Sequence, residues 1–283
     1  MRAGLVQMTS GDDPEANLVQ ARALIDRAVA GGAGFVLTPE VTNCVSSSRA
    51  RQRQVLRPED ADPTLAGLRD TAAARGIWLL IGSLALKTGD ADGRFANRSF
   101  LIAPDGAIAA RYDKIHMFDV DVSPTETYRE SDGFRPGDRA VLAATPFAML
   151  GLTVCYDVRF APLYRRLAQA GAEVLTVPAA FSPVTGAAHW QSLLRARAIE
   201  CGAWVLAPAQ TGAHPVREGR PRTTHGHSLV VAPWGEVVAD AGTEPGVIWA
   251  DIDRAAVAEA RRRVPALSDD RPFDGPDRPG PAP

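Results

Sequence analysis

Apolar runs of strand length alternate with amphipathic stretches of helix length from residue 3 to residue 263, and this pattern leaves few folds open. Continuous apolar strands and one-striped helices are both buried only where helices cover the faces of a sheet. The run 3–8 is followed by the turn residues Gly11-Asp12-Asp13-Pro14 and by a helix, apolar on one face at Leu18, Ala21, Ile25 and Ala28, that ends at Gly31-Gly32. Residues 35–37 read as a buried strand; a helix over about 64–75 and a central strand over 77–86 make a second round. Segments 99–103 and 107–111 form a hairpin around Pro104-Asp105-Gly106, and residues 112–138 read as a long irregular loop. Strands at 139–144 and 148–154 lead to Cys155, and a helix over 163–170, a strand at 174–177, a helix over 187–200 and a strand at 204–207 continue the scheme. Strands 228–231 and 236–239 flank Pro233-Trp234-Gly235, and a strand at 247–252 precedes a last helix over 254–263. The expectation is an α/β layered domain with a mixed sheet over residues 1–267. A tail, 268–283, rich in Pro, Gly, Asp and Arg, extends from it.

Composition removes whole function classes. The 283 residues are 46% hydrophobic, ample for a core, while 31 basic and 33 acidic residues leave a net charge of −2, without the footprint of a nucleic-acid binder. The expected partner is therefore a small molecule. Cys44, Cys155 and Cys201 are an odd set with no CxxC spacing, which argues against a disulfide framework or a zinc knuckle and fits a reducing cytoplasm. Arg2 is followed only by a strand-length apolar run, so a soluble, unexported chain with no membrane association is expected.

Three polar residues fall just past the ends of expected strands: Glu40 after 35–37, Lys114 after 107–111 and Cys155 after 148–154. In layered α/β folds such ends share one edge, so the three can converge. A cysteine on the sharp turn before a helix is also favoured as thiolate by backbone N–H groups and the helix dipole. Each has a plainer role available: Cys155 as a small core filler, Glu40 as a loop carboxylate, Lys114 as a solvated charge. Together they form a self-sufficient set. A thiol attacks an amide carbonyl, a carboxyl group takes its proton and returns it to the poor nitrogen leaving group, and a cation with a backbone N–H, here that of Tyr156, meets the developing oxyanion.

At these residues the chain resembles the nitrilase, or carbon–nitrogen hydrolase, superfamily, whose catalytic residues are a Glu, a Lys and a Cys in that order. The matching segments are Leu37-Thr38-Pro39-Glu40, Tyr112-Asp113-Lys114-Ile115-His116 and Leu152-Thr153-Val154-Cys155-Tyr156-Asp157-Val158-Arg159-Phe160. The resemblance implies a four-layer α-β-β-α sandwich and pairing across helix faces near the nucleophile into a homodimer or larger homo-oligomer; no cofactor is expected, nor a metal, since His225-Gly226-His227 has no Cys or carboxylate cluster beside it. It also implies a second glutamate that orients the site: Glu130 fits its position, with Glu126 competing.

Ala188-His189-Trp190, the run 194–200 (LRARAIE), Gly226-His227-Ser228 and Pro233-Trp234-Gly235 are similar to the Nit subgroup. This implies hydrolysis of a linear amide, closest to deaminated glutathione, with an omega-amidase on 2-oxoglutaramate or a nitrilase as alternatives. Cys201-Gly202 departs from the Asn-Gln common there. Arg159 can meet a substrate carboxylate or pair with Asp157 or Glu173; Thr185 can touch the ligand or cap a helix.

Two rival readings make different demands. A Cys/His hydrolase requires His189, His225 or His227 at the sulfur. A catalytically silent ligand-binding scaffold is expected to have lost part of the trio.

Overall fold

The computed structural model describes residues 1–123 and 126–275. The first sheet is assembled from β1 (Arg2–Gln7), β2 (Phe35–Leu37), β3 (Trp78–Lys87), β4 (Phe95–Ile102) and β5 (Ile108–Asp113). A separate hairpin, β6 (Asp119–Ser123) and β7 (Glu126–Arg129), follows, and β8 (Phe134–Arg135) returns to pair with β4. The second sheet comprises β9 (Val141–Ala144), β10 (Met149–Leu152), β11 (Val174–Thr176) and β12 (Trp204–Ala207). After a small hairpin of β13 (Thr211–Ala213) and β14 (Thr223–His225) it is completed by β15 (Leu229–Val231) and β16 (Val237–Asp240). The final strand, β17 (Gly246–Asp251), crosses back to lie antiparallel beside β1, so the first sheet runs β17-β1-β2-β3-β4-β5.

The helices are α1 (Pro14–Ala30), α2 (Arg49–Val55), α3 (Pro63–Arg75), α4 (Ala161–Gln169), α5 (Pro183–Cys201) and α6 (Arg254–Arg263). Period-2 alternation along the first sheet fixes the layering. Leu5, Phe35, Leu37 and Leu80 face the second sheet, where they pack with Leu150, Leu152 and Leu175. Their neighbours Val6, Val36, Leu79 and Ile81 face outward onto Ile25 and Ala28 of α1 and Leu68 and Ala72 of α3. The other face of the second sheet carries α4 and α5, through Tyr164, Leu167, Trp190 and Leu194. The result is the expected α-β-β-α sandwich.

The local chemistry of the ends matches the pattern. Asp13 and Asp62 cap α1 and α3 with their carboxylates, each followed by a proline in the first turn, and Gly76 and Gly202 terminate α3 and α5 in the left-handed conformation. Three expectations are corrected. Residues 112–138 are not uniformly irregular but hold the β6–β7 hairpin. The helix beginning near residue 187 starts at Pro183, which suits the first turn. Cys155 opens a 3₁₀ turn, Cys155–Arg159, and the helix proper begins at Ala161. Alternating polar segments with no apolar face, such as α2 and β13–β14, were invisible to periodicity. Among the described residues no helix is long and apolar enough to cross a membrane. Asp270, early in the tail, accepts hydrogen bonds from Arg165 and Gln169 of α4; residues 276–283 lie outside the described residues.

Candidate functional site

Glu40 lies past the end of β2 and is only 4% exposed. Its Oε1 accepts hydrogen bonds from Lys114 Nζ and Asn97 Nδ2, both at 2.9 Å; Oε2 accepts one from the Ala180 N–H, also at 2.9 Å. Its backbone carbonyl receives Gln210 Nε2 at 3.0 Å. The next residue, Val41, has φ of 46°, a left-handed conformation that costs a β-branched residue on the order of 1–3 kcal/mol. That strain is held by its N–H donating to Ser83 Oγ at 2.8 Å. Gly82 is required beside it, because a Cβ there would collide with the carbonyl oxygens of Thr38 and Pro39.

Lys114 follows β5 directly, 2% exposed, and its Nζ also reaches both carboxylate oxygens of Glu130 at 2.8 Å. Glu130 additionally accepts the Phe118 N–H at 2.7 Å and Asn97 Nδ2 at 3.3 Å. Glu126 is elsewhere, accepting from Tyr128 and Ser182 hydroxyls, so it is Glu130 that joins the lysine. Burial alone would strip the proton from Lys114, but the charges of Glu130 and Glu40 outweigh it and hold its pKa above the ordinary lysine value. For Glu40, burial raises the carboxyl pKa, yet Lys114's charge and hydrogen bond win and the net shift is downward.

Cys155 is 6% exposed with φ of 49°, and its N–H donates to Pro178 O at 2.9 Å. The turn is organised by fully buried Asp157, to which the sequence pattern assigned no such part. Its carboxylate accepts the Val154 N–H at 2.9 Å, the Tyr112 hydroxyl at 2.6 Å and the His116 N–H at 3.0 Å, with His116 Nδ1 at 2.7 Å. Tyr112 and His116 flank Lys114, so Asp157 clamps the lysine segment to the cysteine segment. The thiol's pKa lies well above the ordinary value, first because of burial and second because of the Glu40 charge, with Lys114 opposing. This corrects the thiolate expectation: the turn is short, and desolvation beside a carboxylate outweighs its dipole.

Glu40, Lys114, Glu130 and Cys155 line one cavity of about 250 Å³ together with Tyr156 and Phe181. Tyr156 is the second residue of the 3₁₀ turn, where backbone N–H groups have no partner within the turn itself. Arg159 and Thr185 are not among the lining residues. Arg159 pairs with neither Asp157 nor Glu173; its guanidinium sits 3.3 Å from His189 Nδ1 and lies over the Tyr156 and Phe181 rings. Thr185 lies within the first turn of α5 and does not cap it; Ser182 holds the cap position, with its hydroxyl turned to Glu126. None of His189, His225 and His227 lines the cavity: His225 and His227 stack on each other with centroids 4.6 Å apart, and His227 meets Asp240. Cys201 is buried in the core and Gly202 ends the helix, so the departure from Asn-Gln does not touch the cavity. A larger groove, about 640 Å³, opens among Glu59, Arg98, Arg111 and Asp113, with no cysteine among its lining residues.

Asn97, Asp157, Ala180 and Gln210 are site residues that the sequence pattern does not single out. Only Asp157 left a signal, its place inside the cysteine segment.

The family model described as carbon-nitrogen hydrolase matches residues 2–262. A deaminated glutathione amidase of Synechocystis sp. is 41% identical over 94% of this chain and 96% of its own length. The omega-amidase NIT2 of Bos taurus is 36% identical over 95% of each. The solved structure of the C. elegans NitFhit protein superposes with a TM-score of 0.86 at 35% identity, covering 95% of this chain and 65% of that longer one. With the fold, the order of the three segments and the family match in agreement, this chain belongs to the carbon-nitrogen hydrolase family.

Proposed function

We propose that the chain is a thiol amidase for small linear amides with a 2-oxo dicarboxylate acyl half, deaminated glutathione foremost. The observation that carries this reading is Lys114 bridging Glu40 and Glu130 in the cavity onto which Cys155 opens. The relatives named for deaminated glutathione and for omega-amides support the substrate class.

The resting pair is a neutral thiol beside a carboxylate, which defines the first step. Glu40 takes the Cys155 proton as the sulfur attacks the amide carbonyl. Lys114 Nζ contacts one oxygen of Glu40 and both of Glu130; with the two Glu130 oxygens sharing one N–H, the remaining N–H meets the carbonyl oxygen as it becomes anionic, together with the Tyr156 N–H. Protonated Glu40 gives its proton to the nitrogen, the amine leaves and a thioester remains. Glu40 then removes a proton from water, hydroxide displaces the sulfur, and the thiol regains its proton from Glu40. Glu130 positions Lys114 and touches no reacting atom.

Ammonia release from 2-oxoglutaramate, with parallel rates on deaminated glutathione and a simple nitrile, tests the reading. Wild type is expected to prefer deaminated glutathione and Cys155→Ala to release nothing; unchanged release by the variant removes Cys155 as the nucleophile. The same reading makes residues 1–267 one hydrolase domain, cytoplasmic in keeping with three free cysteines, and a homodimer or larger homo-oligomer through helix faces near Cys155.

A further inference from the structure

The cavity holds more positive charge than the reaction centre uses. Four cationic side chains line it: Lys114, Arg49, Arg129 and Arg222. Lys114 is taken up by two glutamates and Arg129 by Asp121. Arg49 and Arg222 form no ion pair among the described residues. Arg49 Nη1 donates to the neutral Gln52 Oε1 at 2.8 Å, and its guanidinium lies 5.3 Å from the centroid of Phe134. The guanidinium also packs closely over the Gly133 backbone. Arg222 donates to the Ala180 carbonyl and lies 5.7 Å from the Tyr128 centroid, while its buried Nε has no hydrogen-bond partner. A buried N–H of a charged group left unmet is costly, and an incoming acceptor would cancel that cost.

Each guanidinium is thus partly desolvated, held on an aromatic face and outside any ion pair among the described residues. Planar two-pronged donors of this kind match carboxylates. They stand on separate elements, Arg49 on α2 and Arg222 in the segment before β14, and make no contact with each other through a shared partner, so each is available to its own carboxylate. Resting on the amidase reading, we infer that Arg49 and Arg222 are specificity residues, each receiving one carboxylate of a substrate anionic on both sides of the scissile amide. An amide with a carboxylate on its leaving group engages both; an amide that releases only ammonia engages one.

The test uses 2-oxoglutaryl-cysteinylglycine, its C-terminal carboxamide, and its ester at the 2-oxo carboxylate. In wild type, neutralising either carboxylate should lower kcat/KM roughly tenfold to a hundredfold. Arg49→Gln should abolish one of these two penalties and Arg222→Gln the other. The penalty is a ratio within each variant, so a general loss of folding moves both substrates alike. If both ratios stay at their wild-type values in both variants, the inference is overturned. Calorimetric Kd ratios for the same compounds on Cys155→Ala, with and without each arginine change, probe the same two contacts without turnover. An enzyme that hydrolyses none of these amides but binds them with arginine-dependent ratios loses the amidase reading and keeps this one. Equal Kd for charged and neutralised forms removes it.

Discussion

The cavity that holds Glu40, Lys114 and Cys155 and the larger groove beside β4 and β5 are built from the same bonds and differ in their surroundings. In the groove, Arg98 pairs with Glu59 and Asp113 at 2.7 and 2.6 Å, and Arg111 with Glu59 at 2.8 Å. In the cavity, Lys114 pairs with Glu40 and Glu130 at 2.9 and 2.8 Å. Length does not separate them; water does. The groove side chains are 25–48% exposed, whereas the side chains of Lys114 and Glu40 are 2% and 5% exposed. Water screens the groove pairs and solvates whichever partner is left behind, so they are individually dispensable. In the cavity each charge is sustained only by its neighbours, and removing one strands the rest. That dependence is what keeps a carboxylate ionised beside a neutral thiol, the state a proton-accepting Glu40 needs.

The contrast is most directly broken at Lys114. Lys114→Ala should lower kcat at least a hundredfold through the lost oxyanion donor and destabilise the fold by about 3–5 kcal/mol, because Glu40 and Glu130 then face each other uncompensated. Near-wild-type turnover with an unchanged denaturation midpoint would make the cavity energetically another groove.

Acid should separate the two regions next. His214, 1% exposed, hydrogen-bonds Ser10 O through Nδ1 at 2.7 Å and the Thr224 hydroxyl through Nε2 at 2.8 Å. Ser10 in turn bonds Gln210, which holds the Glu40 carbonyl. Burial lowers the His214 pKa to about 4, the Ser10 bond opposing. A base with a depressed folded-state pKa stabilises the fold above its ordinary value near 6.5 and loses that contribution as pH falls toward 4, up to about 3 kcal/mol. Urea midpoints across that window should fall in wild type and flatten in His214→Gln; parallel slopes would dismiss His214 as the acid trigger.

Gly82→Ala should cost about 1–3 kcal/mol and reduce kcat, because the new methyl displaces the Thr38–Pro39 backbone that carries Glu40. Full activity in a folded variant would show that this wall has slack. At the small end, Arg111→Ala should change stability by less than about 1 kcal/mol and leave turnover alone. A loss rivalling that of Lys114→Ala would erase the distinction between the regions.

Much of the candidate site was legible because the three residues proposed to react follow strands directly, and strand ends are a local signal. Glu40, Lys114 and Cys155 each required only an apolar run before them. Their supports were not legible: Asn97 stands 57 residues from Glu40, Asp157 stands 45 from Tyr112, and Gln210 stands 170 from Glu40. Polar residues with no periodic pattern announce nothing until the sheets bring them together. Arg159 was likewise placed only by packing: its guanidinium lies over the Tyr156 and Phe181 rings, 3.3 Å from His189 Nδ1, neither of which its position four residues past Cys155 foretold.

By itself, then, the chain's alternation of apolar runs determined the layers, and the order of its polar strand ends determined which residues could react. Packing alone settled how they stand: a neutral thiol where the turn suggested thiolate, Glu130 rather than Glu126 on the lysine, and two cavity arginines outside any ion pair among the described residues. The reason is physical. Periodicity records which face a residue turns toward the core, whereas protonation and ion pairing depend on desolvation and on charges contributed from distant parts of the chain.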